Sequence, residues 1–338
     1  MNKYPEATRI AELVSAADHI VVVQADNPDT DSLASALALE HIFEDGGKKV
    51  TLYCGVDLPS YLLYLPGSDR ITDELPNGFD LSVIVDTSSD SLLQQIEKSG
   101  HKSWLAAKPS VILDHHATEP TINFATVVCN HPAVATGEVI YELAKSLSWV
   151  LNLEAEKLLA SAILSDSLGL VSEGTTYRSV EIIAELVKDG VKLSEIENLR
   201  RESLRREPEL VHYKGRLLER VEFHDSNRIA TITIPWEEIE QYSPLYNPPM
   251  LVLDDMRLAK NTAIAIAFKL YPEGKITAKI RCNYGNAIAD KLAEHFGGGG
   301  HPFAAGFKIT DGRSYDYIKN ETLGKTRELL DQLGQGPQ

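Results

Sequence analysis

Short apolar runs of strand length, alternating with stretches of helical spacing, constrain the first half of this chain most. The runs at 20–24, 49–53 ("KVTLYC"), 81–86 ("LSVIVD") and 110–113 ("SVIL") read as strands, and the first is apolar on both faces, as a buried parallel strand is. Helical spacing falls near 5–17, 32–45, 134–147, 154–166 and 179–189. Such alternation predicts an α/β domain over residues 1–190 with a mainly parallel sheet. Gly46-Gly47 supplies a C-terminal stop for the helix after the first strand.

The texture then changes twice. "LSEIENLRRESLRREPELVHYKGRLLERVEF" combines helical spacing with dense charge, which predicts a helical linker over 191–220. From 221 to 338, "RIATITIPW", "NTAIAIAFKLYPEGKITAKIRC" and "NAIADKLAEHFGGGGHPFAAGFKIT" read as strands, a turn at "YPEGK", a helix and a glycine run. These predict a smaller α+β domain. A chain of 338 residues can build a core in each of two such domains.

A net charge of −16 argues against a protein that coats long nucleic acid, which needs a broad basic face. It leaves room for a small anionic ligand held through metal ions or a local cationic cluster. The three cysteines, Cys54, Cys129 and Cys282, are widely spaced and suggest neither a disulfide framework nor a cysteine-built zinc site. No apolar run approaches a membrane span, and the amino-terminal stretch has no signal-peptide core. A soluble cytoplasmic protein without membrane partners is the expectation.

The chemistry-bearing residues gather at the ends of the predicted strands. Asp29 and Asp31 follow the first, Asp86 closes "LSVIVD", and Asp114-His115-His116 follow "SVIL". Asp166 ends the helical segment "SAILSD". Strand carboxyl ends in an open parallel sheet converge on one crevice, so these side chains can meet there. Clustered carboxylates repel unless cations sit among them. Oxygen and imidazole donors without thiolate favour Mn²⁺ or Mg²⁺ over a structural zinc. A bridging carboxylate such as Asp86 would hold two ions ~3.5–4 Å apart, which suits metal-assisted phosphoester hydrolysis. Each residue alone has an ordinary explanation: an aspartate after a strand usually caps a helix or makes a turn. Their joint placement is what points to a site.

"NPDTDS", "VDTSS", "ILDHHA" and "ILSDSLGL" together resemble the four motifs of the DHH phosphoesterase superfamily. "FGGGGHPFAAGF" resembles the signature of the DHHA1 domain that follows in many members. Length and layout are most similar to the bacterial nanoRNase/pAp-phosphatase group. The resemblance spans roughly residues 15–310 and implies an active site in the interdomain cleft. It further implies two Mn²⁺ ions per chain, with Mg²⁺ or Co²⁺ as substitutes. One would lie at Asp29 and Asp86, the other at Asp31, Asp86, His115 and Asp166. His116 would contact phosphate and Asp114 would orient the histidines, so that His116, Asp114 and Asp86 form the implied catalytic set. In the second domain it implies substrate contacts from Gly298, Gly299, Gly300, His301 and Arg281. Glycines there permit close backbone approach to an anion. Lys279 and Cys282 stand where relatives carry serines flanking that arginine.

The implied activity is hydrolysis of short oligonucleotides or of 3′-phosphoadenosine 5′-phosphate (pAp). A phosphodiesterase for cyclic or linear dinucleotides is the near alternative. A reading of another class, a catalytically impaired nucleotide-binding regulatory protein, follows from Ala25, which stands where most relatives carry a metal-ligating histidine. Gln24 or Asp26 could supply the missing donor, water could fill it, or the site could be weak or inactive. A homodimer is compatible with the layout.

Overall fold

The structure is a computed structural model and describes residues 4–117 and 119–334. The chain divides into two compact units, one running to Arg205 and the other starting at Arg206.

The first unit contains five strands, β1 (His19–Val23), β2 (Lys49–Tyr53), β3 (Leu81–Val85), β4 (Ser110–Asp114) and β5 (Val127–Asn130), all parallel, in the order β2-β1-β3-β4-β5. Its helices are α1 (Ala7–Ala16), α2 (Thr30–Asp45), α3 (Gln94–Lys98), α4 (Lys102–Ala106), α5 (Thr136–Leu147), α6 (Leu153–Asp166), α7 (Tyr177–Asp189) and α8 (Leu193–Ser203). Alternation along the strands splits the core in two. Ile20, Val22, Val83, Val85, Val111, Leu113 and Cys129 pack with α1, α2, α5, α6 and α7. Val21, Val23, Ile84 and Ile112 pack on the other face with Ile96 of α3 and Leu105 of α4. The expected strands and helices are present; β5 is additional, an edge strand of four residues, too short to carry a clear pattern.

This order explains where a site can form. The chain runs from β1 through α2 to β2 at one edge, and from β3 through α3 and α4 to β4 in the other direction. Right-handed crossovers in opposite directions put their helices on opposite faces and open a crevice between β1 and β3. Asp29 and Asp31 follow β1 and Asp86 follows β3 at that switch point.

The second unit holds a six-stranded sheet in the order β10-β11-β9-β8-β7-β6. Its strands are β6 (Glu222–His224), β7 (Ile229–Ile234), β8 (Ile264–Leu270), β9 (Ile276–Cys282), β10 (Gly299–His301) and β11 (Ala304–Ile309), with only β7–β8 parallel. One face carries α9 (Pro208–Glu219), α10 (Trp236–Tyr242) and α11 (Leu253–Leu258), packed on Ala230, Ile232, Ala265 and Ala267. The other carries α12 (Ala289–His295) and α13 (Tyr315–Leu333), packed on Ile266, Phe268, Ala278 and Ile280. The stretch read as a helical linker is two helices, α8 packing in the first unit and α9 in the second. No helix among the described residues is long and apolar enough to cross a membrane.

Candidate metal centre and substrate contacts

The residues at the strand ends are held by backbone features. Asp29 is the N-cap of α2, its Oδ1 accepting from the Ser32 amide at 3.0 Å. Asp31, in the first turn of α2, is fully buried and reaches across to α5. Its Oδ2 accepts from the Thr136 amide at 2.7 Å and its Oδ1 from the Gly137 amide at 3.0 Å. Asp31 thus caps a helix whose own N-cap, Ala135, has no side-chain oxygen. A Cβ on Gly137 would sit 2.6 Å from the Ala162 methyl, so glycine lets α5 approach α6 there. Asp86 follows β3 in the left-handed region (φ 59°), a conformation aspartate tolerates better than most residues. The Thr136 hydroxyl donates to Asp86 Oδ1 at 2.9 Å.

The two histidines are aimed by different partners. His115 Nδ1 donates to the Ala133 carbonyl at 3.1 Å, which leaves Nε2 as the inward-facing acceptor. That Nε2 is buried and has no hydrogen-bond partner. Around it stand Asp86 Oδ1 at 3.5 Å, Asp31 Oδ2 at 3.7 Å and Asp166 Oδ2 at 3.7 Å. These separations are too long for hydrogen bonds. They approach the ~3.0–3.5 Å edges between ligands that each sit ~2.0–2.2 Å from one ion. His116 is half exposed, its Nδ1 bonded to Asp114 Oδ1 at 2.7 Å and 4.0 Å from Asp86 Oδ1. Asp114 is buried, and its Oδ1 also accepts from the His115 amide at 2.9 Å.

Charge in this crevice is unbalanced. Burial, then Asp31 and Asp29, push the Asp86 carboxyl well above the usual carboxylate range. Burial with Asp31 and Asp29 pushes Asp166 up to about 8. Burial raises Asp31 despite His115 and the two α5 amides. The hydrogen bond to Asp114 raises His116, whereas Asp114 itself is lowered, because its hydrogen bonds, chiefly from His116, outweigh burial. Carboxyls this unwilling to ionise, facing a partnerless imidazole nitrogen, fit a divalent cation.

Of the residues singled out in the first unit, Asp31, His115 and Asp166 form one cluster of donor atoms and Asp86, His115 and His116 another. Asp29 acts on these carboxyls electrostatically but stands outside both clusters, with one oxygen committed to its helix cap. Thr136 and the Ala133 carbonyl were not singled out. A threonine-glycine pair opening a helix is the only sequence signal for Thr136, and the Ala133 carbonyl has none. Ala25 is buried. Asp26 is already committed: its Oδ2 accepts from the Gln95 amide at 2.9 Å, at the start of α3. The Gln24 side chain is fully buried, and neither amide atom has a hydrogen-bond partner.

Arg281, Gly298, Gly299, Gly300 and His301 lie in the second unit. Part of the glycine run serves a hairpin rather than an open loop: Gly299 to His301 form β10 against β11. A Cβ on Gly298 would meet the Gly306 carbonyl at 2.2 Å, and Gly300 has φ 143° with the Ala304 carbonyl 2.6 Å from where a Cβ would lie. Register aligns Arg281 with Ala265 and Ala304, and Lys279 with Ala267 and Gly306. His301, which is exposed, pairs with Ala304 on the same face. Lys269, Lys279 and Arg281 form no ion pair with a carboxylate among the described residues, although the chain is strongly acidic. Burial and then the charges of Arg281 and Lys269 lower Lys279. Uncompensated cations beside small residues on a sheet face suit an anionic ligand.

Comparison with known proteins follows the same division. Residues 19–171 match the model of the DHH family, N-terminal domain. The "Bifunctional oligoribonuclease and PAP phosphatase NrnA" of Thermus thermophilus is 26% identical, over 98% of this chain and 97% of that protein. The crystal structure of an exopolyphosphatase-related protein from Bacteroides fragilis matches with a TM-score of 0.82 at 21% identity, over 96% of this chain and 97% of that one. RecJ from Thermus thermophilus in complex with Mn²⁺ matches with a TM-score of 0.54 at 17% identity, over 96% of this chain and 55% of that one. The last two likenesses concern the fold. Residues 19–171 are therefore a DHH-family N-terminal domain, in a chain similar along nearly its whole length to a protein named NrnA.

Proposed function

We propose that this protein is a divalent-metal-dependent phosphoesterase acting on short oligonucleotides or on pAp. The observation that carries it is His115 Nε2, buried without a partner and ringed by Asp31, Asp86 and Asp166 at 3.5–3.7 Å. These four residues would hold one ion, and Asp86 with Asp29 a second. Mixed imidazole and carboxylate donors favour Mn²⁺, the ion named for the RecJ complex. Bound there, the ions would supply an activated water and neutralise charge on a phosphoryl group.

The protein's own groups do the rest. Asp114 fixes His116 through Nδ1 and raises its pKa, so its Nε2–H points outward with increased positive character. That edge would neutralise a phosphoryl oxygen or hand a proton to the leaving oxygen. Residues 221–338 would bind substrate, with Arg281 and His301 on the anion and Gly298, Gly299 and Gly300 letting backbone come close. The NrnA name of the Thermus thermophilus relative supports the substrate class.

One observation favours a second reading, a nucleotide-binding regulator of little activity. Buried Ala25 offers no donor and its neighbour Asp26 is committed elsewhere. A Mn²⁺-supplemented panel of short RNA, short DNA, pAp, cyclic dinucleotides and pyrophosphate separates the two. Turnover of short RNA or pAp supports the enzyme. Tight binding without turnover supports the regulator, and pyrophosphate as the sole substrate removes both.

A further inference from the structure

A second group of potential ligands lies behind the first, and neither the motifs nor the proposed chemistry uses it. Cys129 of β5, His131 just beyond it and Glu6 at the start of α1 place a thiol sulfur, a ring nitrogen and a carboxylate oxygen within 4.8 Å of one another. Glu6 Oε2 and His131 Nε2 are 2.9 Å apart, and the Tyr4 ring packs on His131 at 4.6 Å between centroids. Cys129 is fully buried, whereas the Glu6 and His131 side chains are 26% and 28% exposed, leaving a route for an ion and room for a water ligand.

We propose that Glu6, Cys129 and His131 form a zinc site, separate from the Asp31–Asp86–His115–Asp166 centre. The donor set argues for this ion. Sulfur, imidazole and carboxylate together suit a tetrahedral, thiophilic cation with water as its fourth ligand, whereas the DHH crevice offers hard oxygens. Burial and Glu6 push the Cys129 thiol up to about 12, so the thiolate forms there only with a cation, and binding releases a proton.

Position gives the site a role. The segment it would staple carries the supports of both catalytic-motif histidines. The Asn130 side-chain amide donates to the His116 carbonyl at 2.9 Å, the His131 amide to the Asp114 carbonyl at 3.2 Å, and the Ala133 carbonyl receives His115 Nδ1 at 3.1 Å. An ion joining Glu6 to Cys129 and His131 would fix that segment to α1 and hold His115 in its orientation.

The test replaces zinc by Co²⁺, whose bond to a thiolate gives a near-ultraviolet charge-transfer band. The full chain should show that band saturating at one thiolate-bound Co²⁺ per chain, whatever Co²⁺ the carboxylate centre takes up besides, and Zn²⁺ should abolish it. It should vanish in Cys129→Ser and persist in Asp86→Asn and in the Cys54→Ser/Cys282→Ser double variant. His131→Gln and Glu6→Gln should each weaken Zn²⁺ binding about ten-fold or more, at least the loss typical of a group that only supports a ligand. Absence of the band at saturating Co²⁺, its survival in Cys129→Ser, or its loss in Asp86→Asn overturns the proposal. If Cys129→Ser does not fold, unchanged Zn²⁺ affinity in both His131→Gln and Glu6→Gln overturns it equally. The hydrolysis panel is read on other residues, so either idea can fail alone.

Discussion

Replacing Asp166 by asparagine should stabilise the metal-free protein at alkaline pH and leave it unchanged near pH 4. In the folded chain the Asp166 carboxyl titrates at about 8 rather than at 3.8, because it is buried and faces Asp31 and Asp29. The folded state therefore holds this proton more tightly than the unfolded state. Stability is full below pH ~4 and is lost as pH rises toward 8. A carboxyl raised by about four pH units, at ~1.4 kcal/mol each, sets a ceiling of ~6 kcal/mol. The side chain is 26% exposed, and solvent screening brings the expected effect to ~2–3 kcal/mol. Asparagine removes the charge and keeps the shape. Urea unfolding followed by circular dichroism, in EDTA at pH 4.5, 7 and 8.5, reads it directly. With Mn²⁺ under argon the gap should close, since the native chain gains ~2.7 kcal/mol at a hundred-fold excess over Kd and the variant, having lost a ligand, gains less. Equal stabilities of the two proteins at pH 8.5 in EDTA would refute the crowded-carboxylate argument. Equal stabilisation by Mn²⁺ would refute Asp166 as a ligand.

Three further outcomes follow from the same geometry. Asp86→Ala should abolish turnover, whereas Ala25→His should change it less and chiefly at low Mn²⁺, because Asp86 would serve both ions; steady-state rates against Mn²⁺ concentration decide. Asp114→Asn should lower the His116 pKa by removing the carboxylate that raises it, moving the alkaline limb of the rate profile to lower pH; a profile unmoved by the change removes His116 as the acidic partner. His301→Ala should weaken nucleotide substrates by about ten- to a hundred-fold, the worth of a charge-assisted phosphate contact, with Mn²⁺ affinity unchanged by calorimetry.

Much of the first unit was legible because its code is local. A parallel strand buried on both faces reads as an unbroken apolar run, and "HIVVV", "LSVIV" and "SVILD" are all fully buried. β5 was harder: at the sheet edge its burial alternates, and four residues carry little pattern. The hairpin of β10 and β11 hid for a different reason. Glycines usually read as a turn, yet here Gly298 and Gly300 are set by how closely two backbones approach, a property of the partner strand rather than of the run.

The site divides along the same line. Asp31, Asp86 and His115 were legible because parallel topology sends strand ends to one place, so residues distant in sequence meet by rule; Asp166, the last residue of α6, was legible only through its motif. What aims them was not legible. His115 is oriented by a peptide carbonyl, Ala133, and any residue type at 133 except one that moves the backbone would present the same oxygen. Asp31 is held by two amides at the start of α5, and Asp86 by the one hydroxyl, Thr136, that the same turn supplies. The opening turn of α5 therefore sets the spacing of two of the clustered carboxylates, although its only mark in the sequence is a threonine followed by a glycine. Motif residues declare the donors; the donors' geometry depends on backbone groups that carry no signature.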